Sequence, residues 1–167
     1  DDVPVQGKKW GRARQKDFLT IKKESKYKEA VQAYLASISF ADAQIGRLLK
    51  ALNQSPYAHN TIIVFWSDHG WHLGEKGHWH KSTLWEEATR VPFIISGPDV
   101  KPAVYKMPVS LIDIFPTLIE ACSLNEIANL DGQSLQPLLG GLSNASPRPV
   151  LIEYKYKNTS VRVGDYH

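Results

Sequence analysis

The stretch Thr61-Ile-Ile-Val-Phe-Trp-Ser-Asp-His-Gly-Trp-His-Leu-Gly-Glu-Lys-Gly-His-Trp-His-Lys-Ser-Thr-Leu-Trp-Glu-Glu-Ala-Thr-Arg-Val-Pro-Phe-Ile-Ile-Ser96 decides the fold. Residues 61–67 are continuous, β-branched and aromatic, as expected of a strand covered on both faces. Gly70, Gly74 and Gly77 then punctuate a loop, and Thr83-Leu-Trp-Glu86 has capping-box spacing for a short helix. Residues 91–96 read as a second buried strand, ended by Gly97-Pro98. The two strands are expected as interior neighbours of one sheet.

Upstream, Ala30, Ala33, Tyr34, Ile38, Ala41, Ile45, Leu48, Leu49 and Leu52 recur at three- and four-residue steps. That spacing predicts a long helix from about Ser25, stopped by Asn53-Gln54-Ser55-Pro56, whose apolar stripe lies on a sheet face. Downstream, residues 109–122 and 133–139 read as helices, with Pro116 tolerated near a helix start. Residues 150–154 and 160–166 read as closing strands, after a loop at 140–149. Alternation of this kind argues for an α/β layered fold with helices on both faces of the sheet. Sites in such sheets gather beyond the carboxyl ends of the strands, where Ser67-Asp68-His69-Gly70 lies.

Composition bounds the alternatives. A chain of 167 residues with 43% apolar side chains can bury a core, and 10% aromatics exclude a disordered polyelectrolyte. No apolar run is long enough to span a bilayer. Asp1-Asp2-Val3-Pro4 lacks the basic-then-apolar profile of a signal, so any export signal is expected upstream. Residues 1–30 hold nine Lys/Arg against five Asp/Glu, within a whole-chain net charge of +3. Residues 1–24, with most of that excess, read as a basic surface connection, a solvated loop running into the helix; residues 25–167 form the domain proper. The basic stretch lacks the interleaved aromatics of a single-strand binder, so no nucleic-acid partner is expected. The single cysteine, Cys122, excludes an internal disulfide and is expected as a buried structural thiol on an amphipathic helix.

The loop after residue 67 carries the chemistry. At a strand end the chain turns, and adjacent side chains such as Asp68 and His69 can converge on a divalent cation. An Asp that merely closes a turn explains the same residues. His69, His72, His78 and His80 offer zinc-type ligands, though without the tight pairing zinc sites usually show. His72, His78 and His80 are otherwise expected to face solvent or substrate. Lys81 sits just before the expected N-cap Thr83, where a helix dipole disfavours a cation, so it is either a surface lysine or held for function. Trp71, Trp79 and Trp85 surround it and are able to wall a pocket.

Residues 65–95 closely resemble the sulfatase family, within the alkaline-phosphatase-like superfamily. The iduronate-2-sulfatase-like branch shares Asp-His-Gly-Trp, then Leu-Gly-Glu, and a lysine thirteen positions after the aspartate, as Asp68 and Lys81 stand here. Tyr34–Leu49, Val109–Leu118 and Leu130–Leu135 fit as well, so the likeness covers roughly residues 27–166. The resemblance implies an alkaline-phosphatase-like fold, present as a fragment. It implies calcium as cofactor with Asp68 and His69 among its ligands, and Lys81 as the catalytic lysine on the sulfate ester's leaving oxygen. Trp71, His78 and His80 are the weaker candidates for the substrate subsite. Implied partners are a sulfated carbohydrate and the remainder of the same domain, with an exported location.

Departures matter equally. The family makes its formylglycine nucleophile in a Cys/Ser-x-Pro-x-Arg motif, and Cys122-Ser-Leu-Asn-Glu126 does not fit. Asp1-Asp2 imitates the family's paired aspartates but lies too close to the helix, without a preceding strand. The chain is therefore expected to be the later portion of a catalytic domain, unable to turn over substrate alone. Two other functions compete: a phosphonate or phosphodiester hydrolase of the same superfamily, and a non-catalytic module binding anionic glycans through residues 8–28.

Overall fold

A computed structural model describes residues 5–12, 15–142, 148–154 and 157–166. Asp1 and Asp2 lie outside the described residues, as do residues 143–147 of the expected loop. In chain order the described elements are α1 (Val5–Arg12), α2 (Lys16–Lys23), α3 (Tyr27–Asn53), β1 (Ile63–Trp66), β2 (His72–Leu73), β3 (Trp79–His80), α4 (Glu86–Thr89), β4 (Phe93–Ser96), α5 (Ile114–Ala121), α6 (Gln136–Leu139), β5 (Val150–Glu153) and β6 (Thr159–Arg162). They divide into two compact units, residues 1–59 with 69–90, and residues 60–68 with 91–167.

In the first unit the basic N-terminal stretch forms α1 and α2 rather than an irregular loop. The long helix falls where its periodicity places it, yet none of its residues is buried, with Ile38 51% and Leu48 72% exposed. The expectation of a stripe covered by a sheet is thereby corrected. A 27-residue helix is about 40 Å long, and the other described elements of its own unit have eight residues or fewer, too few to cover it. The polar-looking segment 69–90 holds much of this unit's buried interior, including Trp79, Leu84, Ala88 and both His72 and His78. Gly74, at φ +121°, turns where Phe18 and Tyr27 press close. A Cβ there would lie 2.8 Å from the Phe18 ring.

In the second unit β1 and β4 are neighbours, as their composition predicts, but antiparallel, with Ile63 opposite Ser96 and Trp66 opposite Phe93. They form a two-stranded ribbon, not the interior of a sheet, and Phe65, Trp66 and Ile94 are exposed. β5 and β6 pair likewise. Cys122 caps α5 and is exposed, against the expectation of a buried thiol, because α5 turns its Thr117 and Ile119 inward instead.

The interior of this unit is braced by a carboxylate. Ser110 caps a 3₁₀ turn at residues 111–113, and Asp113 accepts the Ser110 amide at 2.9 Å in return. Its other oxygen accepts the Gln133 amide at 2.9 Å, and Arg148 pairs with the oxygen that accepts Ser110. Thr117 donates to the Asp113 carbonyl at 2.6 Å and accepts the Leu135 amide at 2.8 Å. Asp113 is 0% exposed, so its carboxylate is shielded from water and relies on these partners. In the complete protein, Asp113→Ala is expected to destabilise by about 3–5 kcal/mol, the usual cost of removing one partner of a buried pair. A denaturation midpoint equal to the parent's would disprove that brace.

Candidate functional site

The segment after β1 is shaped by one close approach. The Gly70 amide donates to the Ala88 carbonyl at 2.8 Å, and a Cβ on Gly70 would lie 2.1 Å from the Glu87 carbonyl oxygen. Only glycine lets the start of the segment touch its end. Between them β2 and β3 form a small hairpin with His72 opposite His80, an element the sequence reading missed because two-residue strands carry no periodicity.

The hairpin brings Lys81 to His69. His69 Nδ1 lies 2.9 Å from the Gly70 carbonyl, so that nitrogen carries the proton and donates. Its Nε2 then presents a lone pair, which accepts from the Lys81 ammonium at 2.7 Å. Around Lys81 the backbone is strained: His80 has φ +74° and Ser82 φ +80°, left-handed values costly for non-glycine residues.

Trp71 follows the pair. Tyr34 and His69 lie nearly parallel to its indole at 5.9 and 6.4 Å, and His80 meets it edge-on at 4.9 Å. Its Nε1–H is buried without a partner among the described residues. His80 is exposed, 3.3 Å from Asp17 of α2. His72 and His78 depart from expectation. Both are buried, at 0% and 2% exposure, and neither faces solvent. His72 Nε2 lies 2.8 Å from the Thr83 hydroxyl, and His78 Nδ1 donates to the Lys76 carbonyl at 2.9 Å. The expected capping box is not formed: α4 begins later, after Trp85, and the Thr83 hydroxyl is engaged by His72 instead.

Lys76 binds Glu87 at 2.6 Å and lies 5.1 Å above the Trp85 ring. Burial pushes the Glu87 carboxyl up, but the Lys76 hydrogen bond and charge outweigh it and hold it below the usual range. Burial likewise disfavours a charged His72 and holds its pKa below the ordinary value, which the Glu87 charge opposes only in part.

Zinc and calcium make different demands on these groups. Among the described residues no three His, Cys, Asp or Glu side chains cluster to hold a metal, so the histidines do not form the zinc-type site. The His69 tautomer does fit a cation, since its lone pair is on Nε2, where the Lys81 ammonium donates, while Nδ1 is spent on the backbone. Asp68, the preceding residue, is a carboxylate, the type of hard donor calcium favours. These two are a fraction of the six to eight ligands, roughly, that calcium takes.

Known proteins are similar to this sequence. The profile of the family described as Sulfatase matches residues 6–124. A sulfatase of Formosa agariphila is 42% identical over 141 residues, covering 84% of this chain and 28% of that protein. The iduronate 2-sulfatase of Homo sapiens is 37% identical over 126 residues, covering 71% and 22%. The solved structure of BT4656 in complex with its substrate, D-glucosamine-2-N,6-O-disulfate, matches with a TM-score of 0.70 at 29% identity, over 98% of this chain and 38% of that one. The chain thus spans about a quarter of the length of the curated relatives it matches.

Two outcomes test this geometry in the complete protein. Gly70→Ala is expected to destabilise by about 1–3 kcal/mol or more, since a backbone carbonyl cannot yield as a side chain does. An unchanged thermal midpoint would contradict the close approach. The unfolded chain binds a proton at His72 that the folded chain resists. The resulting stability is complete above about pH 6.5 and is lost as pH falls toward the depressed folded value. The midpoint should therefore fall less steeply below about pH 6.5 in His72→Leu than in the parent; parallel curves would refute it.

Proposed function

Because the chain belongs to the sulfatase family, we propose that the complete protein hydrolyses sulfate monoesters on sugars, with Lys81 meeting the leaving oxygen. The observation that carries this reading is the 2.7 Å contact of Lys81 with His69 Nε2, twelve residues apart in sequence. It joins two of the residues that the resemblance marks for chemistry. Negative charge grows on the ester oxygen as the S–O bond breaks, and a fixed ammonium lowers the energy of that state. Strained backbone on both sides of Lys81 is the kind of cost that persists where geometry serves chemistry.

His69 and Asp68 would hold part of a calcium site, which when filled supplies positive charge to the sulfate oxygens. The nucleophile, a formylglycine by resemblance, lies outside this chain. Trp71 supports a place for the substrate nearby: its half-buried indole, stacked beside His69, is an aromatic surface against which a sugar ring packs. His80, exposed beside Trp71, is available to the same substrate, whereas buried His78 is not. A sulfated sugar as substrate agrees with the sugar sulfate bound in the BT4656 structure. The rest of the catalytic domain is the expected partner, and export is expected from the family resemblance. No helix among the described residues is long and apolar enough to cross a membrane.

In the complete enzyme, Lys81→Ala should lower kcat by about 10²–10³-fold while KM changes little, because the lost interaction is strongest in the transition state. Lys81→Arg should rescue only part, since a planar fork does not replace a compact ammonium. An Ala variant with kcat near the parent's would remove Lys81 from the catalytic list.

A further inference from the structure

His72 is an expensive residue where it stands. It is 0% exposed in β2, and an aliphatic side chain would fill the same space without desolvating a polar ring. Its orientation is nonetheless fixed on every side. The His78 ring lies 5.7 Å away, the Trp85 ring meets it edge-on at 5.8 Å, and Nε2 lies 2.8 Å from the Thr83 hydroxyl. His72 Nδ1 has no partner among the described residues. With the ring neutral, placing its single proton on Nε2 leaves a bare acceptor buried at Nδ1, which costs less than an orphaned N–H. Nε2–H then donates to Thr83 Oγ1, which also lies 3.4 Å from the Trp85 amide.

The placement of this bond gives it a use. His72 sits opposite His80 in the hairpin, immediately before Lys81, and Thr83 stands two residues after it. Between them the chain takes left-handed values at His80 and Ser82. A strained turn persists only where its surroundings over-determine it. On one side the turn is tied by the β2–β3 pairing, on the other by the Thr83 side chain, and both ties end on His72.

We propose that His72 and Thr83 form the positioning element that fixes the turn carrying Lys81, an inference that rests on the catalytic role given to Lys81. Neither residue touches substrate. They act by keeping the turn at residues 80–82 in its strained form, so that the ammonium needs no reorganisation as charge develops on the leaving oxygen.

The test uses the complete enzyme. Thr83→Val and the double variant His72→Leu/Thr83→Val should lower kcat about 10- to 100-fold, as loss of an orienting partner does, with KM nearly unchanged. The double variant replaces both polar partners by apolar ones, so its thermal midpoint should equal or exceed the parent's. Thr83→Ser, which keeps the hydroxyl, should recover most of the rate. In a Lys81→Ala background, Thr83→Val should cost nothing further, because its effect passes through the lysine. In the calcium-free protein, where Lys81 donates to His69, the ¹⁵N resonance of His69 Nε2 should move in the Thr83 and His72 variants as that hydrogen bond is lost.

A kcat near the parent's in the double variant, with Lys81→Ala slow, overturns the proposal. So does an equal further loss in the Lys81→Ala background, which would mean that the pair acts elsewhere. If Lys81→Ala is itself as fast as the parent, the catalytic reading fails. The His69 resonance then decides the positioning alone, and an unmoved signal overturns it. Should Thr83→Val not fold, the double variant carries the same criteria.

Discussion

The contact of the Gly70 backbone with the Glu87–Ala88 backbone closes the 69–90 segment on itself, and the site chemistry depends on that closure. A 2.8 Å hydrogen bond ties the segment's first turn to its last helix, with no room for even one methyl group between them. Once the ends are joined, the intervening residues must double back, and the short β2–β3 hairpin is how they do so. That reversal places Lys81, twelve residues along the chain, beside His69. A polar loop of this length seldom holds its shape alone. Here it does because the hairpin turns Trp79, Leu84 and two histidines into an interior of its own.

Much of the frame was legible from side-chain pattern. The three- and four-residue recurrence from Ala30 to Leu52 located α3, and the β-branched runs located β1 and β4, because period and branching are local properties. What covers those faces is not local. The sequence shows that Phe65, Trp66 and Ile94 are apolar, but the chain itself leaves them exposed. Cys122 failed for a related reason. Its helix is amphipathic as read, yet one step of about 100° around the axis separates the inward face from solvent.

In the site the misreadings are more instructive. Thr83 and Glu86 have capping-box spacing, but a hydroxyl makes few bonds, and His72 claimed that of Thr83 through a contact spanning eleven residues. No local rule anticipates it. The spacing of Asp68 and Lys81 carries meaning only through resemblance to a family, since a lysine thirteen residues from an aspartate has no meaning in strand or helix periodicity. Asp113 was missed although its signal was present: an aspartate three residues after Ser110, inside an otherwise apolar helix start, is a capping-box acid. Its burial then followed, since a carboxylate that receives two backbone amides and an arginine has no need of water.

One lone pair links the loop's architecture to its chemistry. His69 spends its proton on the Gly70 carbonyl, so Nε2 has a single lone pair to offer, and Lys81 takes it. The same atom is the one that a calcium site built on Asp68 and His69 would use. It cannot serve both partners at once. A cation at Nε2 would displace the ammonium and add repulsion between like charges at short range. Lys81 would then turn to the anion within its reach, and a sulfate ester is such an anion. The strained turn that His72 and Thr83 hold in place limits how far the lysine can move in answering that pull. Flexibility of the side chain and rigidity of the backbone thus have separate parts: the four-carbon stem selects the partner, and the turn fixes the point from which it reaches.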